Sequence, residues 1–180
     1  MQLKSFFISL IKLRRKIITK NKAKRLKINY CSGLKIGKNV KNFGCTIKIK
    51  ENVWIGDNTI FWGNGLIQIG KNTHIGENSW IYSSKKGGVE FGDDVNCAAN
   101  LYLIDSDHQF KKGVLIRQQE LLSKKVVISD DVWIAANVTI LKGTRIGFHS
   151  VVGACSLCNK WYPDYSVICG VPALVVKQIN

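Results

Sequence analysis

The sequence predicts an all-β fold, a parallel solenoid built in six-residue steps, with a basic helix before it and one long protruding loop. Three observations carry this. An aliphatic or aromatic residue recurs every sixth position: Phe43, Ile49, Ile55 and Phe61; Ile69, Ile75 and Ile81; Phe91, Cys97 and Leu103; then Ile128, Ile134, Ile140, Ile146, Val152 and Cys158. The residue after it is often small (Gly56, Gly76, Ala98, Ala135, Gly153), and the fifth is small or β-branched (Val53, Thr59, Thr73, Ser79, Val138, Thr144, Ser150). Asn and Asp fill many of the positions between, as in IGDNT, IGKNT and IGENS, and these residues tolerate the left-handed backbone of tight turns.

The pattern has a physical reading. Each hexad makes one short strand and one turn, and three hexads close a triangular coil of about eighteen residues, stacked at roughly 4.8 Å. The first position points into the prism and must be apolar. The fifth faces inward near a corner, where a large side chain does not fit. An antiparallel sandwich would need period-two alternation and hairpin turns instead. Two prolines in 180 residues suit an unbroken hydrogen-bonded stack.

Residues 1–30 form the first element. Leu3, Phe6, Phe7, Leu10 and Ile11 recur at helical spacing, and Leu13, Ile17 and Ile18 extend the apolar content. Lys12, Arg14, Arg15, Lys16, Lys20, Lys22, Lys24, Arg25 and Lys27 run between and after them. The first fifty residues carry 15 Lys/Arg and no acid, and the remainder carries 12 of each, so the whole formal charge of +15 belongs to one end. A basic amphipathic helix of this kind suits an anionic membrane surface or a cap on the solenoid's open end; both readings stand at this point. Nucleic acid is disfavoured, because no aromatic-interleaved binding motif accompanies the charge.

Residues 31–170 form the solenoid. Ile36 opens it one residue out of phase, and Phe43 is read as its first inward residue in step. Two insertions interrupt it, at 83–90 and 104–127. Residues 171–180 form a C-terminal tail. Cys31, Cys45, Cys97, Cys155, Cys158 and Cys169 show no secreted disulfide framework, and CSLC at 155–158 is a lone CxxC. Packing thiols in a reducing, cytoplasmic compartment is the reading adopted.

IGDNT, IGENS, DDVWIAANVTILKGTRIG, SVVGACSLCNK and GVPALVVK together resemble the left-handed β-helix hexapeptide acyltransferases. The likeness is greatest to the galactoside, maltose, xenobiotic and capsular-polysaccharide O-acetyltransferases and covers about residues 33–177. It implies left-handed coiling, a homotrimer with sites between subunits, acetyl-CoA as cosubstrate, and direct transfer to a saccharide hydroxyl. The rivals are N-acetylation of an amino-sugar nucleotide, acetylation of an antibiotic, and a non-catalytic trimeric scaffold.

The insertion opening LIDSDHQF matches the loop that carries the family's catalytic histidine, which implies His108 as general base. A neutral imidazole near pH 7 is chemically suited to take a hydroxyl proton. Asp105 is preferred over Asp107 as the group that orients it. A zinc site needs three converging ligands, and the spacing supplies none, so no metal is expected. The resemblance also places Trp133 beside the thioester, its N–H or one nearby stabilising the oxyanion. Ala135, Ala136, Gly153 and Ala154 would line the pantetheine arm, and Asn159 and Lys160 would lie near the adenosine end. Lys177 would substitute for a basic residue that the family carries at the position of Leu174. Ser79, Trp80 and Tyr82 are expected to wall the acceptor site.

Overall fold

The computed structural model describes residues 2–180, with side chains from residue 8 onward. The side chains of Leu3, Phe6 and Phe7 therefore lie outside the described residues. The chain winds into a left-handed parallel β-helix with three walls. The first wall stacks Lys35–Ile36, Trp54–Ile55, His74–Ile75, Asn96–Cys97, Trp133–Ile134, Val151–Val152 and Ser166–Gly170. The second stacks Lys41–Phe43, Ile60–Gly63, Trp80–Ser83, Tyr102–Ile104, Thr139–Ile140 and Leu157–Cys158. The third stacks Thr46–Ile49, Leu66–Ile69, Val89–Phe91, Val126–Ile128, Arg145–Ile146 and Trp161–Tyr162.

The six-residue rule explains the packing. Ile55, Phe61, Ile75, Cys97, Leu103, Ile128, Ile134, Ile140, Val152 and Cys158 are fully buried along the axis, each large aliphatic contributing about 1.5–3 kcal/mol by leaving water. Fifth-position residues Val53, Thr59, Thr73, Ser79, Val95, Val138 and Thr144 are equally buried. Thr59 Oγ1 donates to the Gly56 carbonyl at 3.0 Å and Ser79 Oγ to that of Gly76 at 2.7 Å, so these hydroxyls satisfy corner carbonyls. The corner residues Asn52, Asn58, Asn72, Asn78, Asn100 and Asn137 have positive φ. Their side chains bond from coil to coil, Asn52 to Asn72 at 3.1 Å and Asn72 to Asp94 at 2.7 Å. A Cβ on Gly56 would lie 2.6 Å from the Glu77 nitrogen in the next coil, which is why this position stays small.

The first coil departs from the expected phase. Ile36 pairs with Ile55 and Asn42 with Phe61, while Phe43 pairs with Trp62. Ile36 is thus in step, and Phe43 points outward. Asn42 takes the inward place, where it can hydrogen-bond the turn: it donates to the Leu26 and Cys45 carbonyls at 2.8 and 3.0 Å and accepts from the Cys45 N–H. Asn42 thereby ties the first coil to the end of the helix, and Ala23, Leu26 and Ile28 are buried at this end of the prism.

The helix spans Gln2–Leu26. Its last turn buries Ala23 and Leu26 against the first coil, and Lys22 Nζ donates to the Ile36 and Gly37 carbonyls at 2.9 and 2.7 Å. Upstream, Ile8, Leu10, Ile11, Leu13, Ile17 and Ile18 stay exposed. Only the end of the helix therefore acts as a cap. No described helix is long and apolar enough to cross a membrane. At the other end, Ala173–Gln178 folds back antiparallel on Ser166–Gly170, leaving Leu174, Val175 and Val176 exposed.

Candidate active site

Both insertions leave the solenoid at the corner between the second and third walls. The long one begins and ends as an antiparallel hairpin, Ser106–His108 with Leu121–Ser123. Its base is clasped by Asp105, which is fully buried. The Asp105 carboxylate accepts the Ser84 N–H at 2.8 Å, the Gly88 N–H at 2.6 Å and the Ser83 hydroxyl at 3.3 Å. Its carbonyl accepts the Lys124 N–H at 2.8 Å. Ser84 Oγ donates to Ser123 Oγ at 2.8 Å. Gly87 closes the turn, since a Cβ there would sit 2.3 Å from an Asp105 carboxylate oxygen.

This geometry reassigns Asp105. Strand alternation turns it inward, where its oxygens are taken up by the short insertion, and it makes no hydrogen bond to His108. Asp107 pairs instead with Lys142, at 2.5 Å. His108 stands exposed on the hairpin, and among the described residues its ring has no hydrogen-bond partner. It lines an open cleft of about 430 Å³ with Asp107, Gln109, Phe110, Leu122 and Lys142. Lys142 escaped the sequence reading because it lies in an ordinary hexad; only the fold brings it to Asp107.

Trp133 lies on the outer face of the first wall, away from that cleft. Its N–H donates to the Ser150 carbonyl at 2.9 Å and is committed to the ladder, so it cannot serve as the oxyanion donor. The N–H of Ala135 is likewise bonded to Val152 and that of Asn137 to Ala99. Among the described residues the N–H of Ala136, at the corner between them, has no acceptor. This corner changes character along the stack. It reads Gly37-Lys38, Gly56-Asp57 and Gly76-Glu77 in the first coils, then Ala98-Ala99, Ala135-Ala136 and Gly153-Ala154. The later coils thus present a strip of backbone with almost no side chain. Elsewhere an aspartate serves such corner amides, as Asp57 accepts from Lys38; the alanines remove that acceptor.

Asn159 and Lys160 are exposed at the corner between the second and third walls, the His108 side, with Lys160 Nζ 5.8 Å from the Tyr162 ring centre. Lys177 is exposed on the reversed tail strand, opposite Val167. The predicted donor residues therefore fall in three places on one chain: the corner between the first and second walls, the corner between the second and third, and the reversed tail strand. Among the acceptor candidates, Ser79 is fully buried with its hydroxyl bonded to Gly76; it is a corner residue of the core and lines no site. Trp80 and Tyr82 point outward on the second wall, next to Ile104, where the hairpin departs. Among the described residues no three His, Cys, Asp or Glu converge as metal ligands.

A family model described as the hexapeptide repeat of succinyl-transferase matches residues 66–104. The galactoside O-acetyltransferase of Escherichia coli K12 is 33% identical over 132 residues, covering 73% of this chain and 64% of that protein. A second protein of that strain, named as the lipopolysaccharide biosynthesis O-acetyl transferase WbbJ, is 30% identical over 154 residues, covering 77% and 78%. An N-acyltransferase from Bacillus cereus solved with dTDP and coenzyme A superposes with a TM-score of 0.68 at 26% identity, covering 81% of this chain and 83% of that one. The chain thus spans less than two thirds of the length of the galactoside enzyme.

Proposed function

We infer the function from one premise: this chain belongs to the hexapeptide-repeat acetyltransferase family. It transfers an acetyl group from acetyl-CoA to a hydroxyl of a saccharide, within a homotrimer whose sites lie between subunits. The observation that carries the reading is His108, an exposed imidazole with no hydrogen-bond partner among the described residues, on a hairpin clamped at its root by Asp105. A base held this way keeps its lone pair available and its position fixed.

The roles follow from the chemistry. His108 removes the proton of the acceptor hydroxyl as its oxygen attacks the thioester carbonyl; the thiolate of coenzyme A leaves and takes a proton. Negative charge gathers on the carbonyl oxygen, and the unpaired Ala136 N–H is suited to receive it. The bare strip Ala135, Ala136, Gly153 and Ala154 lets a long, thin pantetheine arm approach the backbone. Trp133 gives that arm an apolar flank, and Lys160 and Lys177, which form no ion pair among the described residues, supply cations for its phosphates. His108 and this strip occupy different corners of one chain, and a trimer of this repeat fold joins them across its interface. Residues 1–27 hold the enzyme on an anionic membrane surface.

The test is turnover of acetyl-CoA, read as free thiol, against a panel of saccharides and amino-sugar nucleotides. Wild type is expected to acetylate a hydroxyl, and His108→Ala to lose roughly 10²–10⁴-fold in rate. Equal rates with and without His108 would remove the base assignment, and a product acetylated on nitrogen would move the protein to the amino-sugar class.

A further inference from the structure

The helix turns a charged face toward the solenoid. An open groove of about 890 Å³ separates it from the first coil, with Lys12, Arg15, Lys16 and Lys22 on the helix side and Tyr30 and Lys35 on the solenoid side. Positions 12, 15, 16, 19 and 22 share one helical face. A helix serving only as a cap would bury Leu10, Leu13 and Ile17 there; these lie off the groove and stay exposed. The open end of the stack uses one of the cations. Each coil's N–H groups donate to carbonyls of the next coil, as Lys35 does to Val53 at 2.9 Å, so the first coil's own carbonyls face the open end. Lys22 serves two of them, those of Ile36 and Gly37. Lys12, Arg15, Lys16 and Lys35 form no ion pair among the described residues. Lys35 Nζ stands 5.7 Å from the Trp54 ring centre, a contact that leaves its charge in place. No carboxylate lines the groove, and the first acid in the chain is Glu51. Like charges gathered in this way repel one another, and packing gives no reason to gather them.

We infer that this groove is the headgroup site for a lipid ending in a phosphomonoester or diphosphate. The inference rests on the membrane reading above and narrows it from surface charge to one headgroup chemistry. Three features select this occupant. The cations stand on two sides, because Lys35 belongs to the solenoid; a headgroup is therefore held between walls, where a helix lying flat on a membrane would sense only average charge. The charge is multiple. A terminal phosphate carries about two negative charges near pH 7 and offers three oxygens, whereas a phosphodiester carries one charge. The Arg15 fork suits two of those oxygens, and the lysines act as point charges. The surroundings are apolar: Ile18, Leu34 and Ile36 also line the groove, and Leu10, Leu13 and Ile17 stand exposed beside it on the same helix. Lipid carbons suit these residues, and a soluble phosphate brings none. The solenoid side of the groove ends at Ile36, at the end of the stack away from the strip of alanines.

The test is cosedimentation of the full chain with phosphatidylcholine vesicles that contain phosphatidic acid or, at equal zeta potential, phosphatidylglycerol. Inorganic pyrophosphate is the soluble competitor, and its own binding is read by calorimetry. Arg15→Gln and Lys35→Gln are compared with Lys24→Gln, which removes the same charge from the helix away from the groove. Binding to phosphatidic acid is expected to be about fivefold tighter than to phosphatidylglycerol, the worth of one further charge contact. Pyrophosphate should erase that preference. Arg15→Gln and Lys35→Gln should each lose it, while Lys24→Gln keeps it. Equal binding to the two lipids, or a preference that survives Lys35→Gln, overturns the headgroup site. Pyrophosphate binding without any lipid preference gives the groove to a soluble phosphate and overturns it too. The two readings fail separately: anionic vesicles bound without preference remove the headgroup site alone, and no binding to either vesicle removes the membrane reading on which it rests.

Discussion

Asp105 and Asp107 stand two residues apart and have unlike surroundings. Asp105 alternates inward and gathers two N–H groups and a hydroxyl from the short insertion. Asp107 faces outward to Lys142. The sequence does show two carboxylates beside His108. It does not show which one points inward, because that depends on where the strand ends and the hairpin begins. Positioning of His108 is thus indirect, through a clasp of two loops. Asp105→Asn replaces one acceptor oxygen with an amide that meets N–H donors, leaving at least one buried donor unsatisfied. A loss of about 1–3 kcal/mol in urea unfolding follows, with faster proteolysis inside residues 104–127. If stability and cleavage both match wild type, the clasp assignment is wrong. Three thiols fit a packing role: Cys45, Cys97 and Cys158 are buried, and burial pushes Cys45 and Cys158 up to about 11, whereas Cys155 is exposed at a corner.

At the scale of elements, what was legible is what the repeat dictates. Position one, the fifth position and the Asn corners are set by local sterics, and each coil repeats them. Phe43 reads as an inward residue because six residues separate it from Ile49. The first coil has one residue more than the rule at Gly44, whose φ is 104°, and a count from Ile49 backwards lands on the outer face. Ser79 obeys the fifth-position rule and belongs to the core, not to an acceptor wall. The helix was legible as basic and apolar, but its placement was not. It meets the solenoid by its last turn, and Lys12, Arg15, Lys16 and Lys22 line a groove against Tyr30 and Lys35, with apolar residues left exposed upstream. Cosedimentation of the full chain with vesicles of anionic lipid is expected at low salt and should weaken as salt screens the charges. Lys12→Glu with Arg15→Glu and Lys16→Glu should abolish it. No binding to anionic vesicles at low salt would end the membrane role.

At the scale of the whole molecule, the proposed base and the proposed donor strip lie on different corners of one chain. The hairpin with His108 leaves the corner between the second and third walls, and the bare strip, whose Ala136 N–H has no acceptor among the described residues, runs along the corner between the first and second. A rigid parallel stack has no hinge that could bring one to the other. The exposed Leu174, Val175 and Val176 on the tail strand likewise point to burial by a neighbour, since an uncovered apolar edge is a hazard for a free protein. The central claim is therefore that the reaction needs two chains. Co-expression of His108→Ala with Ala136→Arg, each inactive alone, tests it directly through acetyl-CoA turnover of the mixed assembly. Random assortment in a ring with sites between subunits leaves roughly a quarter of sites intact on both sides, so about a quarter of wild-type turnover should return. A mixed assembly as inactive as either parent would contradict the account and place both halves of the site in a single chain.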